Sequence, residues 1–485
     1  MTASESADAR PNTGRGAPSR RVALIVAIAF FMQFLDGTII STSLPQVGAS
    51  FGVSPVGMSV GITVYLLAMA VFVPLSSWLA DRFGAQRIFA IAILIFTLSS
   101  LGCGLAGRLP EFIAARVVQG LGSALMTPVG RVLVLRAASK SELLGATALI
   151  TWPALFAPVI GPVLGGLITT YLSWRWNFFI NLPLGVIGVW LVLKFVPEYR
   201  EATNRALDWL GFLLVSTGLA SLLWGLQRVA QPDDALGLSI ALVIAGLILG
   251  GLAVRHLKAT PAPLLDLSTF AIPTFAISTL SAGTYFRMAI NATPFLLPLL
   301  FQVGFGLNPV EAGLYILAYF FGNLGMKSIT TPTLRRFGFR NVLIVNGLVT
   351  SVSIMACASI SARSPPALVA ALMVIAGLSS SMQFTALAAL SFADVPPAQR
   401  SSASTWSSIL QQVAVVFGVA FAAAALELSQ YLRGGAGLAP ADFRLAFIAL
   451  GAICLVASFQ FLPLAHDVAA EVSGHVRQSK RVARR

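Results

Sequence analysis

The stretch FFMQFLDGTIISTSLP, residues 30–45, holds one acid, Asp36, and that acid is the only charged residue between Val22 and Leu44. An apolar run of this length matches the hydrocarbon thickness of a bilayer, which a helix crosses in about 20 residues. A carboxylate inside such a helix costs about 2.5–3.5 kcal/mol on insertion scales. The run therefore reads as a membrane span whose buried acid needs a partner elsewhere in the chain.

The composition extends that reading to the whole chain. Of 485 residues, 57% are hydrophobic and 10% charged, more apolar surface than one water-soluble core can hide. The net charge of +14 comes from cations scattered over short loops and tails. Nucleic-acid binding requires a basic face with base-reading partners, so it is excluded as a function. Cys103, Cys357 and Cys454 stand far apart, and His256, His466 and His475 fall in polar connections or the tail. No metal-ligand spacing results. Nor is there a nucleophile-base arrangement or a phosphate loop, so neither an enzyme nor a cofactor is expected.

Fourteen apolar runs of span length follow one another from 22–44 to 443–464, which defines an all-α polytopic membrane protein. Residues 1–21, rich in Ser, Ala, Gly and Arg, read as a disordered cytosolic tail; the run after them is longer than a secretory h-region and reads as a retained helix. With the N-terminus inside, 22 Lys and Arg lie in the connections on one side and six on the other, leaving Arg116, Arg131, Arg287 and Lys327 in or near spans. The positive-inside rule then places both termini, including the basic tail 465–485, in the cytoplasm of a multi-pass protein in the cytoplasmic (inner) membrane.

An internal repeat divides the chain. LADRFGAQRIF from Leu79 and LRRFGFRNVL from Leu334 share Arg-Phe-Gly at 82–84 and 336–338, after spans two and ten. Both become the second-to-third connection of a six-helix half if 209–254 is an extra two-helix hairpin within a linker, 197–272. The halves are then 22–196 and 273–464, a parallel repeat of the kind that transporters build around a midplane site.

Five stretches in chain order resemble the major facilitator superfamily, and within it the fourteen-helix drug:proton antiporters of the EmrB/QacA type. LDGTIISTSLP (35–45) is similar to the first-helix motif, LADRFGAQR (79–87) to the second-to-third loop motif and RVVQGLGSALMTP (116–128) to the fourth-helix motif. GPVLGG (161–166) resembles the fifth-helix antiporter motif, and WRWNFFINLPLG (174–185) a signature of the fourteen-helix group. Ser77 and Ala157 stand where these motifs usually carry Gly. The resemblance implies two six-helix bundles and proton-coupled export of small amphipathic compounds or drugs by alternating access. It also implies a monomer driven by the proton gradient, with the small-molecule substrate, protons and the lipid bilayer as its partners.

The polar residues inside spans are the candidate site. Asp36 and Arg116 fall at similar depth on helices that the family brings together, and Gln119, three residues on, shares the face of Arg116. Asp36 is then either a proton or substrate group or half of a fixed ion pair. Arg287, with Asn291 one turn later, occupies the place of the first helix in the second half. Its charge keeps an exporter of an anionic metabolite or metal chelate as an alternative. Asp81, with Arg82, Arg87 and the turn-forming Gly84, reads as a cytoplasmic charge latch. Pro158, Gly161, Pro162, Gly165 and Gly166 give a bent, smooth helix for close packing or flexing. Gln383, Gln411, Gln412, Trp152, Phe156 and Tyr285 are further lining candidates, more readily read as packing contacts, and Glu111, Glu311 and Glu427 read as hydrated carboxylates at span ends.

Overall fold

A computed structural model describes residues 16–137, 143–198, 207–229, 236–260, 263, 265–396, 399–435 and 437–470. Every regular element among them is helical. The first half contains α1 (Gly16–Ile39), α2 (Ser59–Phe83), α3 (Ala85–Leu105), α4 (Leu109–Ala137), α5 (Leu143–Tyr171) and α6 (Asn181–Phe195). Two helices follow, α7 (Trp209–Val229) and α8 (Leu236–Ala259). The remainder holds α9 (Ala282–Leu299), α10 (309–337), α11 (339–356), α12 (Pro366–Ala393), α13 (Arg400–Arg433) and α14 (Pro440–Phe459).

Twelve helices among the described residues are long and apolar enough to cross a membrane. One of them, Pro309–Ser359, joins α10 and α11, and α5 contributes the shorter apolar stretch Phe156–Tyr171; counting these separately gives the fourteen spans. The first helix starts at Gly16, inside the segment read as a tail, because helical geometry continues past the point where hydrophobicity ends. Residues 1–15 and 471–485, most of the two tails, lie outside the described residues.

The repeat is visible in the backbone. Gly84, between α2 and α3, has φ 97°, and Gly338, between α10 and α11, has φ 74°. Each glycine of the two Arg-Phe-Gly copies thus makes a turn in the left-handed region, where a side chain is strained. A Cβ on Gly84 would also meet the Glu198 carboxylate, which pairs with Arg87 at 3.2 Å. Gly84→Ala is therefore expected to cost about 1–3 kcal/mol, read as a lower melting temperature in detergent.

Packing follows the repeat too. Within the first half, α1 lies on α4, α5 and α6, and α2 and α3 both lie on α4. Later, α9 packs on α13 and α14, while α10 and α11 pack on α12 and α14. Across the middle, α5 packs on α10 and α2 on α13. Counting α9 as a first helix, the fifth meets the second and the second meets the fifth, the reciprocity of a two-fold relation. The α7–α8 pair rests on α2 and α13 through α7; His256 of α8 meets Asp208, just before α7, at 2.8 Å.

Local chemistry fixes helix starts where hydrophobicity is silent. Asn308 opens α10 with a capping box: its side chain accepts the Glu311 amide at 2.9 Å, and Glu311 accepts the Asn308 amide at 3.0 Å. Glu111 accepts the Gly107 and Arg108 amides ahead of α4. Both carboxylates satisfy helix-end donors.

Candidate functional site

Asp36 is buried, and its carboxylate is shared by three donors from two other helices. Arg116 Nη1 of α4 donates to Oδ2 at 2.8 Å. Gln119 Nε2 of α4 and Asn181 Nδ2 of α6 donate to Oδ1 at 2.9 and 3.0 Å. The Asp36 and Arg116 side chains are 0% and 1% exposed. A carboxylate so enclosed is shielded from solvent, and the surrounding donors replace the hydrogen bonds that water would give it.

Arg116 is equally well supplied. Its Nε donates to the Gly61 carbonyl of α2 at 3.1 Å and its Nη1 also to Gln119 Oε1 at 2.6 Å. The guanidinium lies 4.2 Å from the Tyr65 ring centroid, and the Tyr65 hydroxyl meets Ser123 at 2.7 Å. Ser100 of α3 accepts from both Gln119 and Asn181. One acid thereby ties together α1, α2, α3, α4 and α6 in a network whose buried members are bonded to one another. Asn181 and Ser100 are absent from the sequence-based candidates. The available signal was the pair Asn177 and Asn181, spaced to share one face of an otherwise apolar segment, where buried amides require partners.

The antiporter-like segment packs directly beside Asp36. Thr38 Oγ1 donates to Phe34 O and also reaches Ala157 O at 3.4 Å. Gly161 and Gly165 face α1 so closely that a Cβ on either would collide with Thr38 or Ile39. Gly166 turns the other way, toward the Pro309 carbonyl of α10, and Gly313 of α10 faces the Pro162 carbonyl. Proline and glycine together make α5 thin on both flanks. At this distal end, away from the chain termini, Gln302 Nε2 donates to Thr42 O at 2.8 Å and Gln46 Nε2 to Gln302 Oε1 at 3.0 Å. The continuations of α1 and α9 are thus hydrogen-bonded to each other, and the distal end is closed.

The latch residues find partners other than those their sequence neighbourhood suggests. Asp81 pairs with Arg136, at the end of α4, at 3.3 Å. Arg82 instead lies 5.5 Å from the Trp78 ring centroid, and Arg87 pairs with Glu198. Neighbours in a tight turn diverge in direction, whereas helix ends converge.

The second half differs from the first. Arg287 is 2% exposed, and its Nε and Nη1 have no hydrogen-bond partner. Asn291 donates to the Arg287 backbone carbonyl at 2.6 Å. Gln383 joins α12 to α11, accepting from Asn346 at 2.9 Å and donating to Leu343 O at 3.3 Å. Phe156 and Tyr285 are exposed, and Gln411 and Gln412 half-buried. The side chain of Trp152 lies outside the described residues. Among those residues, no group of three His, Cys, Asp or Glu is placed to hold a metal.

A sequence model described as Major Facilitator Superfamily matches residues 26–419 and 279–483. The chain belongs to the Major Facilitator Superfamily. Its relatives there include the protein named "Putative multidrug resistance protein MdtD" in Citrobacter koseri, 34% identical over 448 residues, covering 91% of this chain and 94% of that one. The protein of the same name in Serratia proteamaculans is 37% identical over 403 residues, covering 82% and 83%. Among solved structures, a D-xylose-proton symporter superposes with TM-score 0.66 at 16% identity, covering 91% of this chain and 97% of that one. A peptide transporter superposes with TM-score 0.68 at 11% identity, covering 95% and 96%. At such identities these structures show the superfamily fold. The protein is a multi-pass membrane transporter.

Proposed function

We propose that this transporter exports small amphipathic compounds, drugs among them, in exchange for protons, and that Asp36 is the group that couples the two. The sealed Asp36–Arg116–Gln119–Asn181 cluster carries the reading. It offers the membrane interior one ionisable acid, bonded to helices that must move for solvent to reach it. The relatives' name supports drug export, and their bacterial sources, with the excess of Lys and Arg on one side, support an inner-membrane protein with both termini in the cytoplasm.

The cycle needs two halves, 22–196 and 273–464, rocking about the midplane while the hairpin 209–254 rides on α2 and α13. In the arrangement described, the distal end is closed and Asp36 is sealed from solvent. Opening that end would part the Gln46–Gln302 and α5–α10 contacts and expose Asp36 to protons; proton release after closure would complete the exchange. The Asp81–Arg136 pair and Gly84 act as the latch at the opposite face. One charge moved through 100 mV supplies about 2.3 kcal/mol, roughly a 50-fold substrate gradient. No cofactor is required, and a monomer suffices.

Proteoliposomes with an internal pH dye test the assignment. Substrate-evoked proton flux is expected in the parent and absent in Asp36→Asn, and ligand binding by Asp36→Asn, whose single amide oxygen can still accept from Gln119 and Asn181, checks that the variant stays folded. Undiminished flux in Asp36→Asn would make the cluster a structural pair and move the coupling site elsewhere.

A further inference from the structure

Arg287 stands out among the intramembrane charges. Arg116 is matched by Asp36, whereas Arg287 is buried to 2% with two guanidinium nitrogens unpartnered. A buried cation without a counter-charge is strongly unfavourable unless some state of the protein supplies one. The acids on the helices packed against α9 are engaged or distant. Asp394, at the end of α12, accepts from Thr274 at 2.8 Å. Asp442, at the start of α14, accepts from Arg433 at 2.8 Å. Glu427 lies nine residues along α13 from Gly418, the residue that meets the Met288 carbonyl of α9, and so about 13 Å away along the axis.

A second observation comes from the backbone. The span that carries Arg287 is broken: Pro273–Thr279 ends at Leu280, Ser281 leaves helical geometry with φ −96° and ψ −106°, and α9 begins at Ala282. The break is close-packed, with Gly283 against the Ser278 backbone and Thr284 Oγ1 donating to the Thr279 carbonyl at 2.5 Å. An interrupted span directs the amide end of its second half, with its positive dipole, toward the protein interior. The first amides of that 18-residue half-helix, at Ala282 and Gly283, are ones a helix leaves without an internal acceptor. A long side chain on a helix leans toward the N-terminus, so Arg287 reaches back toward the same place.

We propose that Arg287 and the amide end of α9 form a subsite for the carboxylate or sulfonate head of an amphipathic substrate. The fork of the guanidinium binds such a group through two parallel hydrogen bonds. Lys327 of α10 is a second cation within the spans of this half, at a comparable depth: it lies 18 residues from Pro309 as Arg287 lies 17 from Gly304. Its Nζ donates to Thr385 Oγ1 of α12 at 2.7 Å. The subsite deepens the export reading above, on which it rests, by naming the charge of the head group; the apolar remainder of the substrate is left to the cavity walls.

Three probes with one apolar body separate the cases: biphenyl-4-carboxylate, its neutral carboxamide and biphenyl-4-ylmethylammonium. Calorimetric titration of the purified full chain, corrected for empty micelles, is expected to give about ten- to hundred-fold tighter binding of the carboxylate than of the ammonium, the scale of charge-assisted hydrogen bonds. Arg287→Met removes that preference, Arg287→Lys keeps part of it, and Gly251→Val, where no atom lies within 4 Å of the added carbon, leaves it intact. Arg287→Met also melts no lower than the parent, since it removes an unpartnered charge. A parent that does not prefer the carboxylate, an Arg287→Met protein that still does, or a clear fall in its melting temperature would each overturn the subsite. Proton flux with the probes in proteoliposomes reports separately on the export reading: a carboxylate preference without flux sinks exchange but leaves the subsite, and flux without that preference does the reverse.

Discussion

Arg116→Ala is expected to destabilise the folded bundle by about 3–5 kcal/mol, because it leaves the Asp36 carboxylate buried without its cation. Little properly folded protein should reach the membrane, and what does should melt early in detergent. The loss extends beyond the ion pair: the Gly61 carbonyl loses the Nε–H, Gln119 Oε1 loses a donor, and Tyr65 loses the guanidinium 4.2 Å from its ring centre. A second replacement separates fold from function. Asp36→Asn combined with Arg116→Met leaves no unpaired charge, and the new amide oxygen still accepts from Gln119 and Asn181. Most of the lost stability should return, as it does when buried pairs are exchanged for neutral groups, while proton-coupled transport should stay absent. An Arg116→Ala protein as stable as the parent would show that Asp36 is not held by Arg116 in the membrane.

Gly166→Val is expected to abolish transport with the fold intact. A Cβ at Gly166 stands 2.5 Å from the Pro309 carbonyl oxygen and 3.2 Å from Val310 Cα, closer than atoms pack. On its other flank α5 is pressed against α1 through Gly161 and Gly165, so it cannot retreat. The strain falls on the one arrangement in which the distal end is closed, and the halves can relieve it by parting. A penalty of about 1–3 kcal/mol shifts the equilibrium away from closure by about 5- to 150-fold. The three native cysteines are buried, so a Gln46→Cys reporter can be read with an impermeant thiol reagent. Its labelling should accelerate in Gly166→Val and stay at the parent rate in Gly251→Val, where no atom lies within 4 Å of the added carbon. Parental transport and labelling in Gly166→Val would mean that α5 and α10 do not form the closing seam.

Much of this architecture is legible in the sequence because hydrophobic length and charge asymmetry are local properties. Span count follows from run length against bilayer thickness. The glycines of the two Arg-Phe-Gly copies point to tight turns, and the backbone places both in the left-handed region. The need of Asp36 for partners followed from its isolation in an apolar run, and Arg116 and Gln119 were within reach because residues three apart on a helix share a face. The stretch Pro309–Ala356 reads as two spans from its sequence as well, because Arg335, Arg336 and Arg340 interrupt the apolar run, and the φ of Gly338 makes the turn between them.

Partner choice was another matter. Sequence alone determined that this chain spans a membrane many times, that it repeats itself, and that Asp36 and Arg287 are the charges in need of explanation. Only the tertiary structure decided that Asn181, 145 residues from Asp36, closes the first of these accounts, that Asp81 turns to Arg136 rather than to its neighbours, and that Arg287 is left without a partner on two nitrogens. The reason is geometric. Periodicity fixes which face of a helix a side chain occupies, but the atom it meets depends on how two helices cross, and that is set by the packing of small residues and bends along their whole length.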